Sequence, residues 1–259
     1  TGDTNWFKFY GASTLKGSAT TWDDINPTQM GCANNADDAT FNFLTWGDAV
    51  QTPVIAGAGT WIVTFDANTW TYTVSSPVLY LAGDANGWKQ TEPFASSDGT
   101  NFWGFAYLNN NGFKFSTQKD WDGTNYGAGF STAADAANIS LPDGNEEGFY
   151  KIVLNLYSKT MELTPITTIG IIGDATPNGW DASTPMTYSK ADGAWVIKDV
   201  SLKDGEMKFR ANDAWDINWG GTPDALTQGG ANIKVAEGTY DIKLYAWADG
   251  FAKCEMTKK

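Results

Sequence analysis

One β-unit is written into this chain at least twice, and that repeat limits the fold more than any other feature. The segment VLYLAGDANGW from Val78 matches TIGIIGDATPNGW from Thr168: an apolar strand, a Gly-Asp-Ala turn, then a Trp. Further on, GFKFSTQKDWDGTNYG from Gly112 matches EMKFRANDAWDINWGG from Glu206. Each unit closes on a two-strand pattern, FYKIVLNLYSKTMELTP from Phe149 and TYDIKLYAWADGFAKCEMT from Thr239. A more divergent first unit shows the same order, with WFKFYG from Trp6, TFNFLTWGD from Thr40 and GTWIVTFDANTWTYTV from Gly59. Its interval from Trp22 to Phe41 is shorter, so one strand is expected to be missing or reshaped.

Phe-Lys-Phe and Met-Lys-Phe place apolar residues on one face and Lys on the other, as a half-buried antiparallel strand requires. Short alternating runs separated by Gly, Asn, Asp and Pro predict an all-β chain of tandem small antiparallel β-sandwich domains, immunoglobulin-like in architecture. No segment carries an amphipathic helical pattern with caps. Strand patterns stop near Ser76-Pro77 and Thr164-Pro165, where a proline interrupts a ladder. The expected modules are therefore 1–76, 77–165 and 166–259.

Composition narrows the function. The formal charge of −13 would repel nucleic acid and anionic membrane surfaces, which call for clustered Lys and Arg. Apolar stretches are far too short for a membrane span, and Thr1–Asn5 opens no apolar leader, which reads as a mature or trimmed soluble fragment. With no His, Ser-His and Cys-His nucleophilic sites and histidine-based metal sites are excluded. A glycoside hydrolase needs only two carboxylates, but the 30 acidic residues scatter through turns, where solvation explains them. The oxygen-rich NNADDAT and DWDGTN runs lack the alternating loop of a calcium site. Cys32 and Cys254 lack metal spacing; Cys254 alternates with Ala252 and Met256 and is expected to be a buried free thiol.

The aromatic load is high, with 13 Trp, 10 Tyr and 14 Phe. Part of it belongs to β-cores; the rest suggests rings exposed for stacking on sugars. In the third unit Arg210 shares a face with Lys208 and leads into a loop bearing Trp215 and Trp219, while Trp180 ends the PNGW loop. Trp219 and Trp180 are expected to be ligand platforms, with Arg210 and Asn218 beside them and Trp215 as a support. In the second unit the counterparts are Trp88 and Tyr126, with Ser116 in place of Arg210, Lys114 or Lys119 as donor and Trp121 as a support. Trp22 and Trp46 hold loosely similar places in the first, where Leu44 replaces the Arg.

The GDA…NGW opening, the KFR…W…NWGG middle and the closing hairpin resemble the starch-binding modules of the outer-membrane lipoproteins SusE and SusF. The resemblance covers the second and third units nearly completely and the first in part. It implies a surface lipoprotein at the outer membrane that binds starch and maltooligosaccharides without cleaving them, beside a porin-type importer and an amylase. It also implies sites of an aromatic pair plus a basic donor: Trp180, Trp219 and Arg210, and Trp88, Tyr126 and Lys119. The lipidated N-terminal Cys and N-terminal immunoglobulin-like domain of that family are not in this sequence. A monomer without cofactor or metal is expected. Binding of a β-glucan or mannan, or a structural and adhesive role, are the other readings the sequence leaves open.

Overall fold

The structure is a computed structural model that describes residues 4–6, 9–10, 29–32, 44–46, 54–56, 62–66, 68–75, 77–96 and 99–259. The described regular structure is β-strand apart from single 3-10 turns at Asp84–Asn86 and Ala128–Phe130. Two compact units result, Thr1–Pro77 and Val78–Lys259.

In the first unit, β1 (Thr4–Trp6) pairs antiparallel with β5 (Val54–Ala56), and β2 (Phe9–Tyr10), β3 (Gln29–Cys32) and β4 (Leu44–Trp46) form a three-stranded sheet. The closing hairpin expected from the sequence is β6 (Ile62–Asp66) with β7 (Thr71–Ser75). Its turn is tied by Asp66, whose carboxylate accepts the Asn68 and Thr69 amides, and these bonds hold the carboxyl below its ordinary range. Tyr72 is buried, and Phe9 packs on both it and Phe65.

The second unit holds both clear repeats. The first of them contributes β8 (Val78–Gly83), β9 (Glu92–Ser96), β10 (Asn101–Leu108), β11 (Phe113–Ser116), β12 (Asn125–Tyr126), β13 (Gly148–Asn155) and β14 (Thr160–Ile166). They form one antiparallel sheet, ordered β12-β11-β8-β9-β10-β13-β14. Strand β9 pairs with β8 along its length and with β10 at Ala95 and Ser96, and so carries the sheet over a shared core of Leu79, Leu81, Phe94, Phe102, Phe115 and Ile152.

The second repeat contributes β15 (Ile169–Ile172), β16 (Thr184–Pro185), β17 (Thr187–Ser189), β18 (Ala194–Leu202), β19 (Gly205–Ala211), β20 (Asn218–Thr222), β21 (Ala225–Gln228), β22 (Ile233–Val235), β23 (Gly238–Tyr245) and β24 (Lys253–Lys258). Here the counterpart of β9 is split into β16 and β17 around buried Met186. The module is therefore a two-sheet sandwich: β16-β15-β19-β20-β21, with β22 on β19, faces β17-β18-β23-β24. Cys254 lies buried opposite Leu244, and burial pushes its thiol pKa up to about 12, as a free core cysteine requires.

The two repeats are not beads on a string. Strand β14 does not stop at Thr164-Pro165; it carries its ladder through Pro165 to buried Ile166. A proline is tolerated there because β14 is the last strand of its sheet and its outer edge needs no donor. Only Thr167 and Thr168 separate it from β15, and Asn212 clasps both sides: its Oδ1 accepts the Thr167 amide at 2.8 Å and its Nδ2 donates to the Pro165 carbonyl at 3.0 Å. Strand β10 is apolar on both faces. Phe102, Ala106 and Leu108 face their own core, while Trp103, Phe105 and Tyr107 face the neighbouring module. Phe105 lies 5.0 Å from Trp219, Phe149 meets Trp195 edge-on at 5.6 Å, and Tyr107 stacks on Tyr188 at 5.0 Å and 3°. The third module's core thus contains residues of the second, and burying these large rings stabilises the pair as one body.

Candidate functional site

Each repeat carries the same local device at the same end of its sheet. In the third module β15 leaves the core at Gly173, and the next turn folds back on itself. The Thr176 hydroxyl donates to the Gly173 carbonyl at 2.8 Å, and the Gly173 amide to the Gly179 carbonyl at 3.0 Å. Gly179 takes a left-handed φ of 61°, which glycine adopts without cost, and Trp180 emerges 42 % exposed. Across from it, β19 gives way after Ala211 to Asn212 and Asp213, both left-handed (φ 52° and 51°), and the loop they start presents Trp215, 48 % exposed. The two indoles lie 6.2 Å apart, tilted by 36°.

Arg210 supports this pair from below. Only 8 % exposed, it donates from Nε to the Ser183 hydroxyl at 2.8 Å and sets its guanidinium carbon 5.1 Å from the Trp215 ring centre. The contact is cation–π in geometry and fixes the ring from its protein side. The nearby Asp213 carboxylate, at 3.7 Å, is mostly solvated and adds little. Asn218 sits directly opposite Arg210 in the β19–β20 ladder. Its Nδ2 donates to the Trp215 carbonyl at 2.8 Å, and its Oδ1 is buried without a partner among the described residues.

The second module repeats the geometry with different supports. Asn86 organises the GDANGW turn: its Oδ1 accepts the Gly83 amide at 2.9 Å, and its Nδ2 donates to the Lys89 carbonyl at 2.8 Å and to the Glu92 carboxylate. Gly87 and Trp88 are both left-handed (φ 68° and 61°), with the Trp88 amide bonded back to Gly83 at 2.8 Å. Trp88 and Trp121 lie 6.4 Å apart at 44°, the latter 44 % exposed. Asn125 copies Asn218: its Nδ2 holds the Trp121 carbonyl at 2.8 Å, and its Oδ1 is again buried without a partner among the described residues. Ser116 stands in Arg210's place opposite Asn125, but its hydroxyl is spent on the Asp120 carbonyl, so no cation backs Trp121 from there. Lys114 and Trp121 instead border one cavity of about 640 Å³, while Lys119 lies over the Tyr80 ring at 5.4 Å.

Two of the expected platforms are corrected by this arrangement. Trp219 is not on a loop but in β20, directly opposite core residue Phe209, and opposite residues share a face. It is completely buried, and its indole N–H points at the Trp247 carbonyl at 3.4 Å. Tyr126 is its counterpart, opposite buried Phe115; it is half-buried against the second module's core, and burial raises its phenol pKa. Trp215 and Trp121, expected as supports, are the exposed members of the pairs. Arg210 and Asn218 are on the expected face but buried, where they hold Trp215 in place. Trp22 lies outside the described residues, and Trp46 is described only as the backbone end of β4. Sequence reasoning also missed Asn125, Ser183 and Asn86. The shared dipeptide position, Asn125 immediately before Tyr126 as Asn218 immediately before Trp219, was the available signal for the first.

Among the described residues no three His, Cys, Asp or Glu side chains converge as metal ligands. What the fold presents is apolar ring faces, tilted toward each other on rigid turns, with amides close by. Sandwich modules built this way define a carbohydrate-binding protein. The comparisons agree and are more specific. Residues 1–76 match the family model described as "SusF, first starch specific CBM", and residues 78–164 the model described as "SusF/SusE starch specific CBMs". Outer membrane protein SusF of Bacteroides thetaiotaomicron is 30 % identical over 240 aligned residues, covering 81 % of this chain and 47 % of that protein. The chain is a SusF/SusE-like protein, its first two modules members of those carbohydrate-binding-module families. It spans about half the length of the curated relative it matches.

Proposed function

We propose that this chain binds starch and maltooligosaccharides without cleaving them, through Trp180–Trp215 over Arg210 in the third module and Trp88–Trp121 in the second. The observation that carries this reading is the recurrence of one tilted indole pair, at 36° and 44°, on Asn-pinned turns at equivalent positions. An α-1,4 chain curves, so successive glucose rings offer their C–H faces to two planes set at an angle; a flat β-glucan would call for coplanar rings.

A binding role rather than catalysis is supported by the carboxylates. A glycosidase sets two of them across the scissile bond, one with a raised pKa. Among the described residues Glu92 is the carboxyl raised, to about 7 by burial, and its oxygen is engaged by Asn86 and Thr91 inside the turn that carries Trp88. The SusF relative is named an outer membrane protein. We extend that location to this chain, as a lipid-anchored surface protein handing α-glucan to a porin-type importer beside an amylase.

Native gels cast with starch, pullulan, laminarin, xyloglucan or mannan test the reading. Retardation by starch and pullulan, lost on combining Trp180→Ala with Trp88→Ala, is expected. Retardation by laminarin or xyloglucan alone would refute the α-glucan assignment, and release of reducing sugar by pure protein would refute the non-catalytic one.

A further inference from the structure

A groove of about 520 Å³ runs between the second and third modules, within the roughly 300–1,000 Å³ typical of ligand pockets. One wall is the turn after β8, with Lys89 and Gln90, joined by Lys119; the other is the third module's Ala191 turn with Tyr245 and Trp247. Tyr245 and Trp247 form another tilted aromatic pair, with centroids 5.1 Å apart at 45°, close to the 44° of Trp88–Trp121. A cation backs it as well: Lys253 lies 4.7 Å over the Tyr245 ring, as Arg210 lies over Trp215.

The framework does not call for these rings. At the corresponding positions of the second module stand Asn155 and Tyr157, the latter 91 % exposed, so the second module has no such pair there. The polar wall also has unused capacity. The Gln90 side-chain nitrogen is shielded from solvent and has no partner among the described residues, although a buried amide donor of that kind costs free energy until something accepts from it. Lys89 follows Trp88 directly, and Lys119 precedes Trp121 by two residues. The loops that hold the second module's indole pair therefore also form the wall of the groove.

We propose that this groove is an additional α-glucan subsite, continuous with the Trp88–Trp121 pair, in which Tyr245 and Trp247 take sugar faces while Lys89, Gln90 and Lys119 donate to hydroxyls. A longer maltooligosaccharide seated on the second module runs on into the junction, and a short one does not reach it. The proposal rests on the α-glucan reading above, and makes the fixed contact between the two modules part of ligand recognition.

Calorimetry with maltotriose and maltoheptaose tests it on the full chain carrying Trp180→Ala and Trp215→Ala, which silence the third module's own pair. Trp247→Ala should weaken maltoheptaose binding roughly tenfold, the value of one well-stacked ring, and leave maltotriose binding unchanged. Ala191→Trp, a bulky side chain on the exposed rim, should block the groove with the same signature and without cutting into the core. It keeps the test decisive should Trp247→Ala lose its cooperative melt. Equal loss for both sugars, or no loss for maltoheptaose in Ala191→Trp, overturns the groove subsite while leaving the indole pairs standing. No binding of either sugar by the unmutated chain would overturn the α-glucan reading, and this subsite with it.

Discussion

Replacing Trp219 by Ala separates the core from the binding face more sharply than any other change. The ring is fully buried, packed 5.0 Å from Phe105 of the adjoining module and directly opposite Phe209. Truncating a buried Trp costs about 3–5 kcal/mol, counting both lost transfer energy and the cavity left behind. In a unit the size of Val78–Lys259, roughly 2–4 °C of melting temperature follows each kcal/mol, so the melt should fall by about 6–20 °C. Because Phe105 loses its partner too, both modules should lose stability together, in one transition. Trp215→Ala is the control. It removes an exposed ring and one cation–π contact worth about 0.5–1 kcal/mol, so the melt should move only a few degrees while sugar binding in the third module is lost. Scanning calorimetry and maltoheptaose titration of both variants read the contrast. A Trp219→Ala protein that melts normally but no longer binds would refute the assignment of Trp219 to the core, and with it the shared core itself.

Trp180→Ala should weaken the third module's affinity roughly tenfold or more in the same titration with a nearly unchanged melt, since the ring is exposed at the turn tip and outside the core. Arg210→Ala should reduce both binding and stability, the latter by about 1–3 kcal/mol in urea denaturation, because it removes a part-buried charged hydrogen bond to Ser183 and the support of Trp215. Glu92 gives a pH signature. Its carboxyl is raised from the ordinary 4.5 to about 7 by burial, so the native state holds a proton that the unfolded chain has released between those values. Stability should then decline as pH rises from about 4.5 to 7 and level off above, by about 3 kcal/mol at most. Glu92→Gln should flatten that slope in urea denaturation at pH 5 and pH 8; a slope as steep as in the unmutated chain would assign it to other groups.

The repeat, the all-β character and the positions of the strands were legible locally. Alternation in Phe-Lys-Phe and Met-Lys-Phe tells which residues share a face, and GDANGW announces its own turn, since Asn86 satisfies that turn's amide and carbonyl groups from within it. The pairing of Trp88 with Trp180 was legible for the same reason. Alternation says nothing about where a strand begins, however. ANDAWDINWGG reads as one loop until β20 is seen to open at Asn218, which turns Trp219 inward and leaves Trp215 to the solvent. Nor can it say what lies beyond a strand's second face. Phe105, Phe149 and Tyr107 are apolar residues on the side that should face water, and only docking against Trp219, Trp195 and Tyr188 shows that this face is buried too. The physical reason is one of range. Backbone alternation and turn hydrogen bonds act over a few residues and are encoded there, whereas burial of a strand's outer face depends on a surface contributed by residues far along the chain, and is decided only when the two modules meet.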